Sequence, residues 1–353
     1  MELERYLIPD DISISEAIKR IDEGRRRVVF CLRDGKLSGA FTDGDMRRFI
    51  LKDGDLSKSV RLAMNPKPIS FPAARQQESA AFVMKNMMVA LPIVDEENRV
   101  VDIVFRDEID SAQALRQLPK DMPLVIMAGG RGTRLYPYTQ ILPKALIPIG
   151  DTPITDLIIS HFQRYGISEI HMILNHKKNM IKAYYNEERA DLNVQYAEEE
   201  QFLGTGGGIS LLKGKIRSTF FLSNCDCLLE ADYPCMLDFH RKNGNAATMI
   251  VSNKAIQIPY GVVEVDQNGL IRGMREKPEF SYLVNTGIYI MEPFVIDMVG
   301  ENERIDMPAL LERLEQKGYN VGAYPITEKS WLDMGQLTEM KNMIKELGLE
   351  ANL

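Results

Sequence analysis

Cysteine is scarce in this chain, and the four present, Cys31, Cys225, Cys227 and Cys235, show no CxxC spacing. Three of them crowd into one region, which argues against a disulfide framework spread over the chain. Histidine is as sparse, and His161, His171, His176 and His240 form no ligand pair at metal-binding spacing. No apolar run approaches the roughly 18 residues of a membrane span. The N-terminal stretch MELERYLIPDD lacks the apolar core of a signal peptide, so the cytoplasm is the expected location. Excess positive charge is missing too. With 43 basic against 50 acidic residues the net charge is −7, so no overall field draws nucleic acid or an anionic membrane, and neither is an expected partner. An anionic substrate must then be held by local cations and backbone N–H groups. The chain also has no GxxxxGK[ST] loop, no GxGxxG, no GxSxG and no kinase HRD segment, and it offers no covalent nucleophile.

What is present is enough material for two or three units: 353 residues, 45% hydrophobic and 26% charged. The first hundred or so contain an internal repeat offset by 63 positions, with Ala17-Ile18 falling on Ala80-Ala81 and Val28-Val29-Phe30-Cys31 on Leu91-Pro92-Ile93-Val94. Each copy reads helix, strand, turn, strand, helix. In the first, Ser13 and Glu16 form a capping box, Gly24 stops the helix, and Asp34-Gly35 turns one strand into the next. Two such units sharing a sheet face make one compact α+β domain. A polar stretch, SAQALRQLPKDMP, then precedes an abrupt apolar strand and sets the boundary near residue 118, giving domains 1–118 and 119–353.

The first copy carries Gly39-Ala-Phe-Thr42-Asp-Gly-Asp45, and with this G-x-x-T-x-x-D segment residues 7 to 112 resemble a tandem pair of CBS domains, which often bind adenine nucleotides. The resemblance implies that Thr42 presents a hydroxyl to a phosphate and Asp45 accepts from ribose hydroxyls. The second copy has Asp102, Phe105 and Glu108 at those positions, so at most one intact nucleotide site is implied. The alternative stays open that Asp43 and Asp45 only cap a helix and that the pair serves assembly. In either case the resemblance implies a homo-oligomer.

The second half alternates strand-like and helix-like stretches, LVIMA, TDLIISHFQRYG, EIHMILN, MIKAYYNEE, TFFLSNCD and ATMIVSN, which predicts an α/β layered sheet with its site at the carboxyl ends of strands. The first strand ends in Ala128-Gly-Gly-Arg-Gly-Thr-Arg134, a phosphate cradle by composition. A second glycine run, Phe202 to Gly208, reads by itself as a turn.

The longer string AGGRGTRLYPYTQILPKALIPIG, residues 128 to 150, resembles the signature of the sugar nucleotidyltransferases, and further motifs follow in that family's order to about residue 340. The resemblance implies a Rossmann-like, GT-A-like mixed sheet. It implies that Ala128, Gly129, Gly130, Gly132 and Thr133 meet the nucleotide and that Arg134 and Lys144 grip the triphosphate. Gly204, Thr205 and Gly206 would wrap the base. Asp226, closing TFFLSNCD, and Asp333, within Trp331-Leu-Asp-Met-Gly335, would share one Mg²⁺. Gly261, Glu276, Lys277, Asn285 and Thr286 would take the sugar phosphate, and catalysis would rest on Arg134, Lys144 and Asp226. The implied reaction joins a nucleoside triphosphate to a hexose or hexosamine 1-phosphate, releasing pyrophosphate and making an activated sugar for surface glycans, with GTP as the favoured donor and UTP, CTP or dTTP as alternatives. A nucleotide-sensing protein that keeps the fold without the chemistry is the rival class.

Overall fold

The computed structural model describes residues 3–24, 26–86, 88–109 and 116–347; Ser111 to Leu115 of the expected linker, and the side chain of Glu108, lie outside what it describes. The chain forms two compact units. One comprises Met1–Ala114 with Asn253–Tyr282 and Pro325–Lys329, the other Leu115–Ser252, Leu283–Tyr324 and Ser330–Leu353.

In the first unit the two repeats build matching three-stranded sheets. Leu7–Pro9 runs parallel to Val28–Arg33, which turns back into Lys36–Thr42; Phe71–Pro72, Ala90–Val94 and Val100–Phe105 repeat the pattern. Each hairpin carries an irregularity, after Cys31 in the first and after Ile93 in the second, one residue apart in the repeat alignment. The strand Val28–Arg33 is apolar on both sides because both are covered. Val29 and Cys31 face a core with the helices α1 (Ile14–Gly24) and α2 (Asp43–Lys52), while Val28 and Phe30 face Ala90, Ile103 and Phe105 of the second repeat. Asp34 and Gly35 take left-handed φ of 52° and 75°, the conformation of a tight hairpin turn. α1 ends at Gly24 as expected, and a Cβ there would stand 2.9 Å from the Tyr6 ring.

The second unit is built on a seven-stranded sheet in the order Val194–Glu198, Ile170–Leu174, Leu124–Met127, Phe220–Asn224, Glu279–Met291, Ala247–Gln257, Val321–Thr327. Its first four strands are parallel and the fifth runs against them. Ile170–Leu174 is buried along its whole length, as a strand covered on both faces must be. The sheet is therefore the mixed α/β sheet expected, and the parallel strands deliver their carboxyl ends to one edge. Among the described residues no helix is long and apolar enough to cross a membrane.

Candidate functional site

A cavity of about 470 Å³ opens at that edge, lined in part by Gly129, Gly130, Gly132, Thr133, Arg134 and Lys144. Leu124–Met127 feeds it the first glycine loop. Gly132 adopts φ +63°, and a Cβ there would meet Thr139 at 2.9 Å and Lys144 at 3.1 Å. By contrast nothing lies within 4 Å of a Cβ built at Gly130, so its backbone faces open space where an anion can approach. Arg134 is exposed on the short helix that follows.

Lys144 follows Pro143, crosses to the end of Phe220–Asn224, and its ammonium contacts the Asp226 carboxylate. Burial pulls its pKa down, but Asp226, with Cys225 and Asp333, leaves it above the usual lysine value. Asp333 arrives from far along the chain because Trp331–Asp333 pairs antiparallel with Cys227–Leu229, setting Asp333 opposite Cys227; the Met334 N–H donates to the Asp226 carbonyl at 2.8 Å. Burial first, then the nearby Asp226 charge, pushes the Asp333 carboxyl above its ordinary range. Two carboxylates that repel each other beside one lysine suit a hard divalent cation that needs few protein oxygens, as Mg²⁺ does. Among the described residues no cluster of three or more His, Cys, Asp or Glu gathers into a fuller cage. Cys225 and Cys227 are buried free thiols, and burial pushes Cys225 up to about 12, so they are inert core residues.

The second glycine run is a short helix, Gly204–Gly207, and no flexible turn. Each glycine there is a close approach: a Cβ at Gly204 would stand 2.6 Å from the Ile305 carbonyl oxygen and one at Gly207 2.3 Å from that of Glu303. The Gly206 N–H donates to Ile305, the Thr205 N–H donates to Asp306, and the Met307 N–H donates to the Thr205 hydroxyl. Gly204 and Thr205 still line the cavity, while the polar groups of the loop chiefly anchor it.

Asn285 and Thr286 line the same cavity with their side chains already engaged. Asn285 donates to the Tyr289 hydroxyl at 2.6 Å and accepts from the Gly287 N–H, and Thr286 donates to the Ile250 carbonyl. Gly261 and Glu276 come together in the other unit, where the hairpin Val262–Val265 and Ile271–Arg275 leaves the Glu276 carboxylate 3.0 Å from a Cβ built at Gly261. Lys277, next in line, has φ +44°. Thr42 and Asp45 are engaged with each other: Thr42 caps α2, its hydroxyl donates to Asp45 at 2.6 Å, and Asp45 accepts the Thr42 N–H.

Two residues that the motifs did not single out belong to this site. Glu199 lines the cavity only 3% exposed, its Oε1 has no hydrogen-bond partner, and burial raises its pKa. The Asn175 side-chain amide nitrogen is likewise buried without a partner, and a Cβ added to Gly129 would lie 3.1 Å from both Asn175 and Glu199. The Leu203 backbone bonds the carboxyl, so Oε1 is the acceptor left open in this glycine-lined cavity.

A mixed sheet with a glycine cradle, a half-buried cation and paired carboxylates at its strand ends is an arrangement suited to a phosphorylated ligand. The chain belongs to the nucleotidyl transferase family, whose model matches residues 124–348, and the CBS domain model matches residues 5–52 and 58–114. A UTP–glucose-1-phosphate uridylyltransferase of Synechocystis is 29% identical over 244 residues, covering 64% of this chain and 63% of that one. A mannose-1-phosphate guanylyltransferase of Mycobacterium tuberculosis is 31% identical over 220 residues, 60% of each. The chain thus spans about 60% of the length of the curated relatives it matches. In fold it is similar to a Bacillus anthracis protein assigned as a glucose-1-phosphate thymidylyltransferase and solved with sucrose, at 18% identity, a TM-score of 0.51, and coverage of 66% of this chain and 97% of that one.

Proposed function

We propose that this protein is a sugar-1-phosphate nucleotidyltransferase that uses GTP, transferring guanylate to a hexose or hexosamine 1-phosphate. The observation that carries the choice of base is the buried Glu199 carboxyl, whose Oε1 has no partner. Guanine offers two adjacent donors, N1–H and the N2 amine, and a carboxylate accepts both together. Uracil and thymine offer one N–H flanked by carbonyl oxygens that repel a carboxylate, and adenine turns a bare nitrogen toward it. A buried acceptor left unpaired costs roughly 1–3 kcal/mol, so the site penalises each wrong base.

In the reaction we propose, an anionic oxygen of the sugar phosphate attacks the α-phosphorus, forming a new P–O bond as the α–β bridging P–O bond breaks and its electron pair leaves on pyrophosphate. No base is needed, because a phosphate monoester is already ionised at neutral pH. The protein's task is to align two repelling anions and stabilise the crowded transition state. The open backbone at Gly130 and the Arg134 guanidinium serve the triphosphate, and Lys144, kept charged by Asp226, meets the negative charge that develops on transfer. Mg²⁺ held by Asp226 and Asp333 would add charge neutralisation at the phosphate oxygens. Gly261, Glu276, Lys277, Asn285 and Thr286 are assigned to the sugar phosphate by the family resemblance.

A matrix of GTP, UTP, CTP and dTTP against mannose, glucose, glucosamine and N-acetylglucosamine 1-phosphates, read by pyrophosphate release, tests this. GTP is expected to give the highest kcat/KM with at least one sugar. A pyrimidine triphosphate preferred throughout would overturn the reading of Glu199.

A further inference from the structure

The arm between the strands Ala247–Gln257 and Glu279–Met291 is a two-stranded hairpin, which has little stability of its own. At its root Lys277 sits at φ +44° directly before Pro278, a left-handed backbone that a lysine rarely adopts and that a following proline makes harder to reach. Such a conformation persists only where its surroundings hold it, and it is commonly found at functional positions. The neighbours supply two holds. The Ile258 N–H donates to the Pro278 carbonyl at 3.0 Å, closing the root. One residue further, both carboxylate oxygens of Glu279 are taken by α1 of the first repeat: the Ser15 hydroxyl donates to Oε1 at 2.7 Å and the Lys19 ammonium to Oε2. These are contacts across 264 and 260 residues of sequence, within one compact unit. The same strand continues to Asn285, Thr286 and Gly287 at the cavity.

We infer that Glu279 is a positioning residue through which helix α1 of the first repeat fixes the backbone of Lys277, and thereby sets the affinity for the sugar phosphate. The inference rests on the assignment of Lys277 to the sugar side made above. The Lys19 side chain is 54% exposed and that of Glu279 25%, and an ion pair so open adds little to global stability. Its effect is therefore expected in the order of the arm and in sugar-phosphate binding, with the melting temperature nearly unchanged. Any ligand or partner that shifts α1 would act on the arm through the same contact, which gives the repeats a physical route to control.

The test uses the full-length protein with Glu279→Gln and with the double variant Ser15→Ala/Lys19→Met. Amide hydrogen exchange over residues 258–282 should rise about threefold in the double variant, the scale of losing one exposed ion pair. KM for the sugar 1-phosphate should rise by a similar factor while kcat and KM for the triphosphate hold. Lys19→Arg, which keeps the charge, should restore both. Unchanged exchange over 258–282 in both variants would overturn the latch. Faster exchange with an unchanged KM for the sugar phosphate would overturn its role in binding. The exchange measurement needs no turnover, so it reads the latch whether or not the reaction assigned above stands.

Discussion

Glu199 was hidden in the sequence inside Glu198-Glu199-Glu200, a run of charge that reads as a solvated face. The strand geometry separates the three. Glu198 points outward to Lys178 and Lys182, while Glu199, just past the strand's end, turns into the cavity. Its place at the carboxyl end of a parallel strand, ahead of the Gly204 loop, was the signal available, since that edge is where an α/β sheet puts its site. Asp226 and Asp333 were legible as motif residues, and their meeting was implied by the family resemblance alone. It depends on a short antiparallel pairing between segments about a hundred residues apart, which no local pattern encodes. Glu199→Gln is expected to lower kcat/KM for GTP by roughly 100-fold, the cost of a charged hydrogen bond or two, and to raise that for UTP or dTTP. A glutamine presents one acceptor and one donor, which match the N3–H and O4 of a pyrimidine. Steady-state kinetics with both triphosphates check it. Unchanged GTP kinetics would remove Glu199 from base recognition.

The repeat strands and helices of the first unit were readable because each carries its own apolar pattern, and the turn at Asp34-Gly35 its own chemistry. The association of residues 253–282 and 325–329 with the repeats was not readable, because it rests on contacts of very long sequence separation such as the Arg47 Nε donating to the Pro325 carbonyl at 3.1 Å. Asp22 of α1 marks the same region. Burial, with the Asp43 charge adding, pushes its carboxyl up to about 6 from an ordinary 3.8, although it bonds Thr327. Because the folded state holds this proton more tightly than the unfolded chain, the group opposes folding as pH rises from about 4 to 6 and opposes it fully above that. Asp22→Asn should therefore stabilise the protein at pH 7.5 by about 1–2 kcal/mol, less than the full shift implies because the group keeps some solvent, and the gain should fade toward pH 4. Urea midpoints at the two pH values measure it; an equal effect at both would show that the carboxylate's charge is not the cause.

Across the whole molecule, composition said only that anions must be held locally, and the structure gathers Arg134 and Lys144 at a glycine-lined cavity in a chain of net charge −7. The family membership of the second half and the CBS match of the first agree with the order in which the motifs run. The central proposal is the chemistry at the strand ends of the second unit. The most direct measurement is therefore the fate of the α-phosphate: incubate the protein with α-labelled GTP, Mg²⁺ and the preferred sugar 1-phosphate, and separate the products. The account predicts label in a nucleoside diphosphate-sugar with one pyrophosphate released per label transferred, and loss of both by at least about a thousandfold in the nearly isosteric Asp226→Asn, because a positioned charge in a water-poor site contributes several kcal/mol to the transition state. Label appearing as free nucleotide with no sugar attached, or full transfer by Asp226→Asn, would contradict it.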